Sequence, residues 1–126
     1  MKVFILKKRK DFVRAAQGIK SVTPSLILQA APSLSAPYKK ISEDICYVGY
    51  TATKKIGKAF IRNKAKRRLR AAVAQIFTKN ASAKTDYVVI SRYKTATTPF
   101  ETIKQDLLKA LNDTSKQLNN SKEPQK

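Results

Sequence analysis

Residues 61–77, IRNKAKRRLRAAVAQIF, decide the fold, because apolar and basic side chains recur in this stretch with the period of an α-helix. The apolar positions are spaced by three and four residues, and at 100° per residue they share one face. They are Ile61, Ala65, Leu69, Ala72, Val73, Ile76 and Phe77. The pattern predicts a helix over 62–77 that packs its apolar face on a core and turns its basic face to solvent.

Positive charge is concentrated in this helix and in the residues before it. The run 54–70 holds nine of the 27 basic residues, and no Asp or Glu occurs between 54 and 84. No pairing between residues i and i+4 can therefore offset the repulsion along the helix. Arg62, Lys66 and Arg70 follow one ridge, and Asn63 stands near the predicted helix start, where amide and backbone N–H groups can meet phosphate oxygens. We interpret this face as a phosphate-binding surface.

The charge of the whole chain indicates a polyanionic partner. Its 126 residues include 27 Lys and Arg against eight Asp and Glu, a net charge of +19, and such self-repulsion is relieved by a bound polyanion. Nucleic acid is the first candidate and an anionic membrane the second. No apolar run approaches the roughly 20 residues of a membrane-spanning helix, and the start MKVFILKKRKDF has no small-residue cleavage site of a signal peptide. We expect a soluble, cytoplasmic protein with no membrane partner.

The residue types needed for most catalytic chemistry are scarce. The chain has no His and a single Cys, which excludes His-based acid–base catalysis, a disulfide framework and the usual zinc sites. Cys46 lies within a predicted strand and is expected to be a buried structural thiol. Asp44 and Asp86 stand at strand starts rather than in a cluster, so no catalytic residues and no protein metal site are predicted.

Outward from the basic helix, short strands and helices alternate. We predict a helix over 7–17 that ends at Gly18, strands over 25–31, 44–53 and 86–92, and a loop rich in Pro and Ser over 31–43. The basic connection 54–60 can include a further short strand. After Pro99 a second amphipathic helix buries Phe100, Ile103, Leu107, Leu111 and Leu118. The prediction is one α+β domain over 1–118, followed by a disordered tail over 119–126.

RNA is favoured over DNA as the polyanion. Nothing in the chain resembles a helix-turn-helix pair, a zinc finger or a leucine zipper. Tyrosines occur in or beside the predicted sheet, where aromatic faces can stack on unpaired bases. They are Tyr38, Tyr47, Tyr50, Tyr87 and Tyr93.

The basic run also resembles a known motif. Residues 53–70, TKKIGKAFIRNKAKRRLR, resemble the signature of the bacterial ribonuclease P protein family, [ST]KK-x-G-x-A-x-x-RN-[RK]-x-KR-x-x-R. Residues 10–13 with Gly18 resemble the family's opening helix, and 86–92 resemble the strand after the basic helix. The similarity covers roughly 6–111 and leaves the tail out.

The resemblance implies a fold and a function. The fold would be a single-domain α/β sandwich, with three helices on a small, mostly antiparallel sheet and a left-handed βαβ crossover. The protein would be the non-catalytic subunit of an endoribonuclease that removes the 5′ leader of precursor tRNA. The catalytic RNA would bind most of the Mg²⁺, with one protein per RNA.

The resemblance also implies roles for individual residues. Those expected to dock on the catalytic RNA are Arg62, Asn63, Lys64, Lys66, Arg67, Arg68 and Arg70. Those expected at the leader cleft or its rim are Phe12, Lys54, Lys55, Lys58 and Arg92. The chain departs from the family pattern at Lys64, where Arg is commoner, and at Ala16, where the family often has a second aromatic.

Two other functions remain open from the residues alone. A small ribosomal protein fits the composition equally well, and only the signature argues against it. A protein-only nuclease would need an acidic cluster that the fold assembles from distant parts of the chain.

Overall fold

A computed structural model describes residues 1–34, 36–39, 41 and 44–122, with side chains described up to residue 118. Three helices and five strands form one domain. In chain order they are β1 (Lys2–Ile5), α1 (Arg9–Ala16), β2 (Ile19–Val22), β3 (Leu26–Pro32), β4 (Ile45–Thr51), a 3₁₀ turn (Lys54–Ile56), α2 (Ala59–Asn80), β5 (Thr85–Ser91) and α3 (Phe100–Lys122).

The five strands form one sheet in the order β1-β4-β5-β3-β2. The β2–β3 and β3–β5 pairs are antiparallel, whereas β1–β4 and β4–β5 are parallel. The sheet is therefore evenly mixed rather than mostly antiparallel, because the unpredicted strand β1 adds a second parallel pair. The β4–α2–β5 unit is the βαβ crossover that the family resemblance implies, and its left-handed sense stays a prediction.

The helices cover both faces of the sheet. α2 and α3 pack against each other and on one face, where Leu69, Phe77, Leu107 and Tyr87 are fully buried. The rings of Phe77 and Tyr87 meet edge to face with centroids 5.0 Å apart. α1 packs on the other face with a smaller core. The α+β single-domain class is thus confirmed, and β4 is buried from both sides.

Several predicted boundaries need correction. The strands β1 and β2 were not predicted, because each has four residues and most of its side chains stay accessible. The connection 54–60 contains a 3₁₀ turn and no strand. α3 continues through Lys122, so the tail predicted from residue 119 begins as helix, while 123–126 lie outside the described residues. The predicted loop 31–43 lies partly outside them too.

None of the helices that the structure describes is long and apolar enough to cross a membrane.

Candidate nucleic-acid interface

The basic face of α2 is turned away from the core. The buried side of the helix comprises Ala65, Leu69, Ala72, Val73 and Phe77, as the apolar spacing predicts. On the opposite side Asn63, Lys64, Arg67 and Arg70 are exposed, and Lys66 is partly exposed. Packing of the apolar side on the sheet therefore forces a row of cations into solvent.

The cations of α2 have no carboxylate partner among the residues that the structure describes. Within the described ranges, every ion pair joins groups outside α2. Arg70 instead lies over the ring of Tyr50, with 5.4 Å between the guanidinium carbon and the ring centroid. Burial raises the pKa of Tyr50 to about 12, an effect that the Arg70 charge partly opposes. The phenol therefore stays neutral and presents its ring to the cation.

Two arginines of the signature are engaged by the protein itself. Arg68 is half-buried and donates from Nη1 to the carbonyl of Ala96 over 3.2 Å and from Nη2 to the carbonyl of Thr98. Its buried Nε has no hydrogen-bond partner in the part of the chain that the structure describes. Arg62 donates from Nη1 to the carbonyl of Gly57 over 3.1 Å. Arg68 thus ties the β5–α3 connection to α2, and its role in docking on RNA stays a prediction.

The start of α2 also differs from the prediction. The helix begins at Ala59 and not at Arg62, and Phe60 in its first turn is exposed, so periodicity gave no sign of that turn. The free N–H groups of a helix belong to its first turn. Asn63 lies beyond it and can offer a ligand only its side-chain amide, not the backbone N–H group expected from the sequence.

A groove of about 320 Å³ runs between α1 and the sheet. Its walls are Arg9, Phe12, Val13 and Ala16 from α1, and Gln29, Thr51, Val88 and Ile90 from the sheet. Phe12 can lie this close to β4 only because residue 49 is glycine: a Cβ there would be 2.4 Å from Cζ of Phe12. The groove therefore holds the Phe12 ring in a fixed position, and Ala16 adds no second aromatic side chain; that Phe12 faces a leader stays a prediction.

The remaining predicted cleft residues divide into two groups. Lys54, Lys55 and Lys58 are exposed and follow Thr51, which lines the groove. Arg92 is half-buried, donates from Nη1 to the carbonyl of Thr23 over 2.7 Å, and lines a separate depression with Pro24, Tyr93 and Lys94. The structure thus does not place Arg92 on the wall of the groove.

A buried ionic cluster fixes the orientation of α1, and sequence reasoning missed it. The Lys39 ammonium lies between the carboxylates of Asp11 and Asp86, and the Arg14 guanidinium contacts both carboxylates as well. Tyr38 donates its hydroxyl proton to Asp11; desolvation, together with this hydrogen bond, raises the pKa of Tyr38 to about 12. In the sequence, the cluster was visible only as charged residues next to apolar segments. Lys39 lies in a predicted loop, where a charged residue is common and does not indicate burial.

The tyrosines do not form the stacking surface that the sequence suggested. Tyr87 and Tyr47 are buried and Tyr50 is half-buried, so only Tyr38 and Tyr93 are exposed. The exposed tyrosines lie outside the strands, Tyr38 between β3 and β4 and Tyr93 after β5.

The fold and the uncompensated cations define a small α+β protein organised around a basic helix. A sequence model of the family Ribonuclease P matches residues 2–115. The ribonuclease P protein component of Paramagnetospirillum magneticum is 50% identical over 107 residues, which are 84% of this chain and 78% of that protein. The component of Ruegeria pomeroyi is 36% identical over 110 residues, 86% of this chain and 84% of that protein.

Solved structures agree with the sequence relatives. The ribonuclease P protein of Thermotoga maritima superposes with a TM-score of 0.69 at 25% identity, over 86% of this chain and 94% of that one. A mutant ribonuclease P protein of Staphylococcus aureus gives a TM-score of 0.72 at 25% identity, over 89% and 88% of the two chains. This chain belongs to the ribonuclease P protein family.

Proposed function

We propose that this chain is the protein subunit of a ribonucleoprotein endonuclease, ribonuclease P, and that it binds both the catalytic RNA and the 5′ leader of precursor tRNA. The RNA carries out the Mg²⁺-dependent hydrolysis, and the protein supplies binding without catalytic groups. One protein binds one RNA in the cytoplasm.

The observation that carries the proposal is the row of unpaired cations on α2. Lys64, Arg67 and Arg70 are exposed on one rigid helix, and no carboxylate of the described residues pairs with them. Phosphate contacts of this kind supply most of the affinity of RNA-binding proteins and position the bound strand. We therefore assign docking on the catalytic RNA to Asn63, Lys64, Lys66, Arg67 and Arg70, supported by Arg62.

The groove beside α1 suits a single strand better than a duplex. It has a volume of only about 320 Å³ and is lined by Val88 and Ile90 of the sheet and by the ring of Phe12. Aromatic rings stack on unpaired bases of any sequence. Lys54, Lys55 and Lys58 follow the strand that forms its edge and would contact the phosphates of the leader.

The chemistry of the acidic residues fits a metal held by the RNA. Among the described residues no group of three or more His, Cys, Asp or Glu is placed to bind an ion. The two buried carboxylates that lie together, Asp11 and Asp86, are already neutralised by Lys39 and Arg14. We propose that the Mg²⁺ ions are bound mainly by the RNA subunit.

The test compares two triple variants that remove the same charge. Lys64→Ala, Arg67→Ala and Arg70→Ala remove three cations from α2, and Lys20→Ala, Lys109→Ala and Lys116→Ala remove three exposed cations from β2 and α3. Each lost phosphate contact lowers the slope of log affinity against log salt by about 0.7–0.9. The α2 variant should therefore lose about 2–3 of the slope for the catalytic RNA, and the control should keep it. Equal losses in both variants would contradict a specific interface.

Cleavage assays separate this function from the other two. The protein should accelerate cleavage of precursor tRNA by the catalytic RNA at low Mg²⁺, whereas a ribosomal protein would leave the rate unchanged. Purified protein free of RNA should cut nothing. Cleavage by the protein alone would overturn the non-catalytic assignment.

A further inference from the structure

A second pocket, separate from the groove, lies on the same face of the sheet. It has a volume of about 650 Å³, twice that of the groove. Its walls are Phe4, Ile5, Leu6, Lys7 and Lys8 from β1 and the segment after it, together with Tyr38, Lys39 and Tyr47. Tyr47 belongs to the small core under α1 that also contains Val88 and Phe12, so the pocket and the groove share that layer.

The pocket gathers apolar surface that is otherwise unexplained. Phe4 is 39% exposed, Ile5 54% and Tyr38 38%. Clustered exposed apolar groups mark an interaction site rather than ordinary surface. The volume falls in the range of about 300–1,000 Å³ that is typical of small-ligand sites. The rings of Phe4 and Tyr47 meet edge to face with centroids 5.7 Å apart, and the Lys39 ammonium lies over the Tyr47 ring, so the exposed aromatic surface of the pocket belongs to Phe4 and Tyr38.

The polar groups of the pocket specify an anion-bearing aromatic ligand. Of the lysines that line it, Lys7 and Lys8 are exposed, whereas Lys39 is already paired with Asp11 and Asp86, and none of the described lining residues is acidic. The ammonium groups of Lys8 and Lys10 lie 5.3 Å and 5.7 Å from the centroid of the Tyr38 ring. Tyr38 is held in place because its hydroxyl donates to the carboxylate of Asp11. A fixed ring beside flexible cations is the arrangement that binds a nucleobase by stacking and its phosphate by charge.

We infer that this pocket binds an unpaired base of the RNA, as a second contact in addition to the α1 groove. The inference rests on the proposed function, since it requires that the chain works on RNA. A second copy of the chain is a poorer occupant, because each copy carries a charge of +19 and would bring its own Lys7 and Lys8 to the contact. The base comes either from the leader or from the catalytic RNA.

The test uses Phe4→Ser with Val22→Ser as the matched control. Val22 is an exposed apolar residue on β2, at the opposite edge of the same sheet. Affinities are measured in two arms: for the catalytic RNA alone, and for the assembled holoenzyme with precursor tRNA that carries or lacks a leader. Stacking of one base contributes about 5- to 150-fold in affinity, so Phe4→Ser should weaken one arm by that factor and Val22→Ser neither. The arm that weakens identifies the source of the base.

Two further measurements guard against a folding effect of Phe4→Ser. The double variant Lys7→Ala with Lys8→Ala changes only exposed side chains and should lower the salt slope of the same arm by about 1.4–1.8. RNA with photoreactive thiouridine should cross-link to a peptide that contains Phe4 or Tyr38.

The inference is overturned if both variants bind within twofold of wild type in each arm and no such cross-link forms. It is also overturned if Phe4→Ser abolishes a dimer seen by sedimentation and leaves RNA affinity unchanged. The α2 triple variant separates the two proposals: if it loses RNA affinity while the pocket variants do not, only the pocket assignment fails. If it also binds like wild type, the proposed function itself is wrong.

Discussion

Replacement of Lys39 by Met should destabilise the protein more than any other single change of a lysine that the structure describes. The Lys39 side chain is 1% exposed, and its ammonium contacts Asp11, which is 6% exposed, and Asp86, which is fully buried. Met has a similar length and keeps most of the packing. The variant therefore leaves two buried carboxylates with a single cation, Arg14.

The magnitude follows from the charges that remain. Removal of one partner from a buried ion pair costs about 3–5 kcal/mol, because the other partner stays buried without compensation. The Arg14 guanidinium still contacts Asp86 and is 24% exposed, so water and this cation soften the loss. We expect the lower end, about 3 kcal/mol, out of a total of about 5–15 kcal/mol for a domain. For a chain of this size that corresponds to a fall in Tm of roughly 10 °C.

Urea unfolding with a matched surface variant tests this reasoning. Lys104 pairs with Glu101, whose side chain is 77% exposed, so Lys104→Met should cost only about 0–1 kcal/mol. In a double-mutant cycle, Lys39→Met with Asp86→Asn should be less destabilising than the sum of the single changes by about 1 kcal/mol or more. If Lys39→Met stays within about 0.5 kcal/mol of the Lys104 variant, the cluster does not contribute as a buried ion network.

Three further predictions concern Gly49 and the buried titratable groups. Gly49→Ala should cost about 1–3 kcal/mol through overpacking against Phe12, and Phe12→Ala in the same chain should recover part of that loss in urea unfolding. Burial raises the pKa of Cys46 to about 12, so at about pH 8 the thiolate fraction is about 1,000-fold below that of an ordinary thiol, and iodoacetamide should label the protein only after unfolding. Burial also raises the pKa of Tyr50 to about 12 and that of Tyr87 above its ordinary value of 10.0. The folded protein therefore favours both neutral phenols, and the stability that this contributes is present below about pH 10 and should be lost as the pH rises toward 12. Phenolate absorbance should then appear together with unfolding.

The basic helix was predictable because its signal is local. The spacing of Ala65, Leu69 and Phe77 places them on one side of α2, and this is the side that packs on the sheet. The same local logic failed for Phe60, since an exposed aromatic at a helix start carries no periodic information. It also gave no sign that the Arg68 guanidinium would contact the carbonyls of Ala96 and Thr98, because these lie in a connection distant in sequence.

The features that sequence did not reveal depend on contacts between distant residues. β1 is a strand because it pairs in parallel with β4, more than forty positions later in the chain; alone, its four residues show no alternation that specifies a face. Lys39 is buried because Asp11 and Asp86 meet it from two other elements. Both the β1 pairing and the burial of Lys39 arise only when the sheet is assembled, so neither can be predicted from a short stretch of sequence. The resemblance in 53–70, in contrast, depends on consecutive residues alone.

The acidic residues that the structure describes lie away from the α2 cations. The six whose side chains are described all have partners elsewhere: Asp11 and Asp86 in the buried cluster, Asp44 with the N-terminal amine, Glu101 with Lys104, Asp106 with Ser25, and Asp113 with Ser21. If one of these carboxylates paired with a cation of α2 instead, its present partner would lose its contact. For Asp86 that partner is the buried ammonium of Lys39. The fold therefore neutralises its core with the few acids it has and leaves the α2 cations to a partner. The proposed partner, RNA, would supply phosphates to these cations while the opposite side of the same helix packs on the sheet.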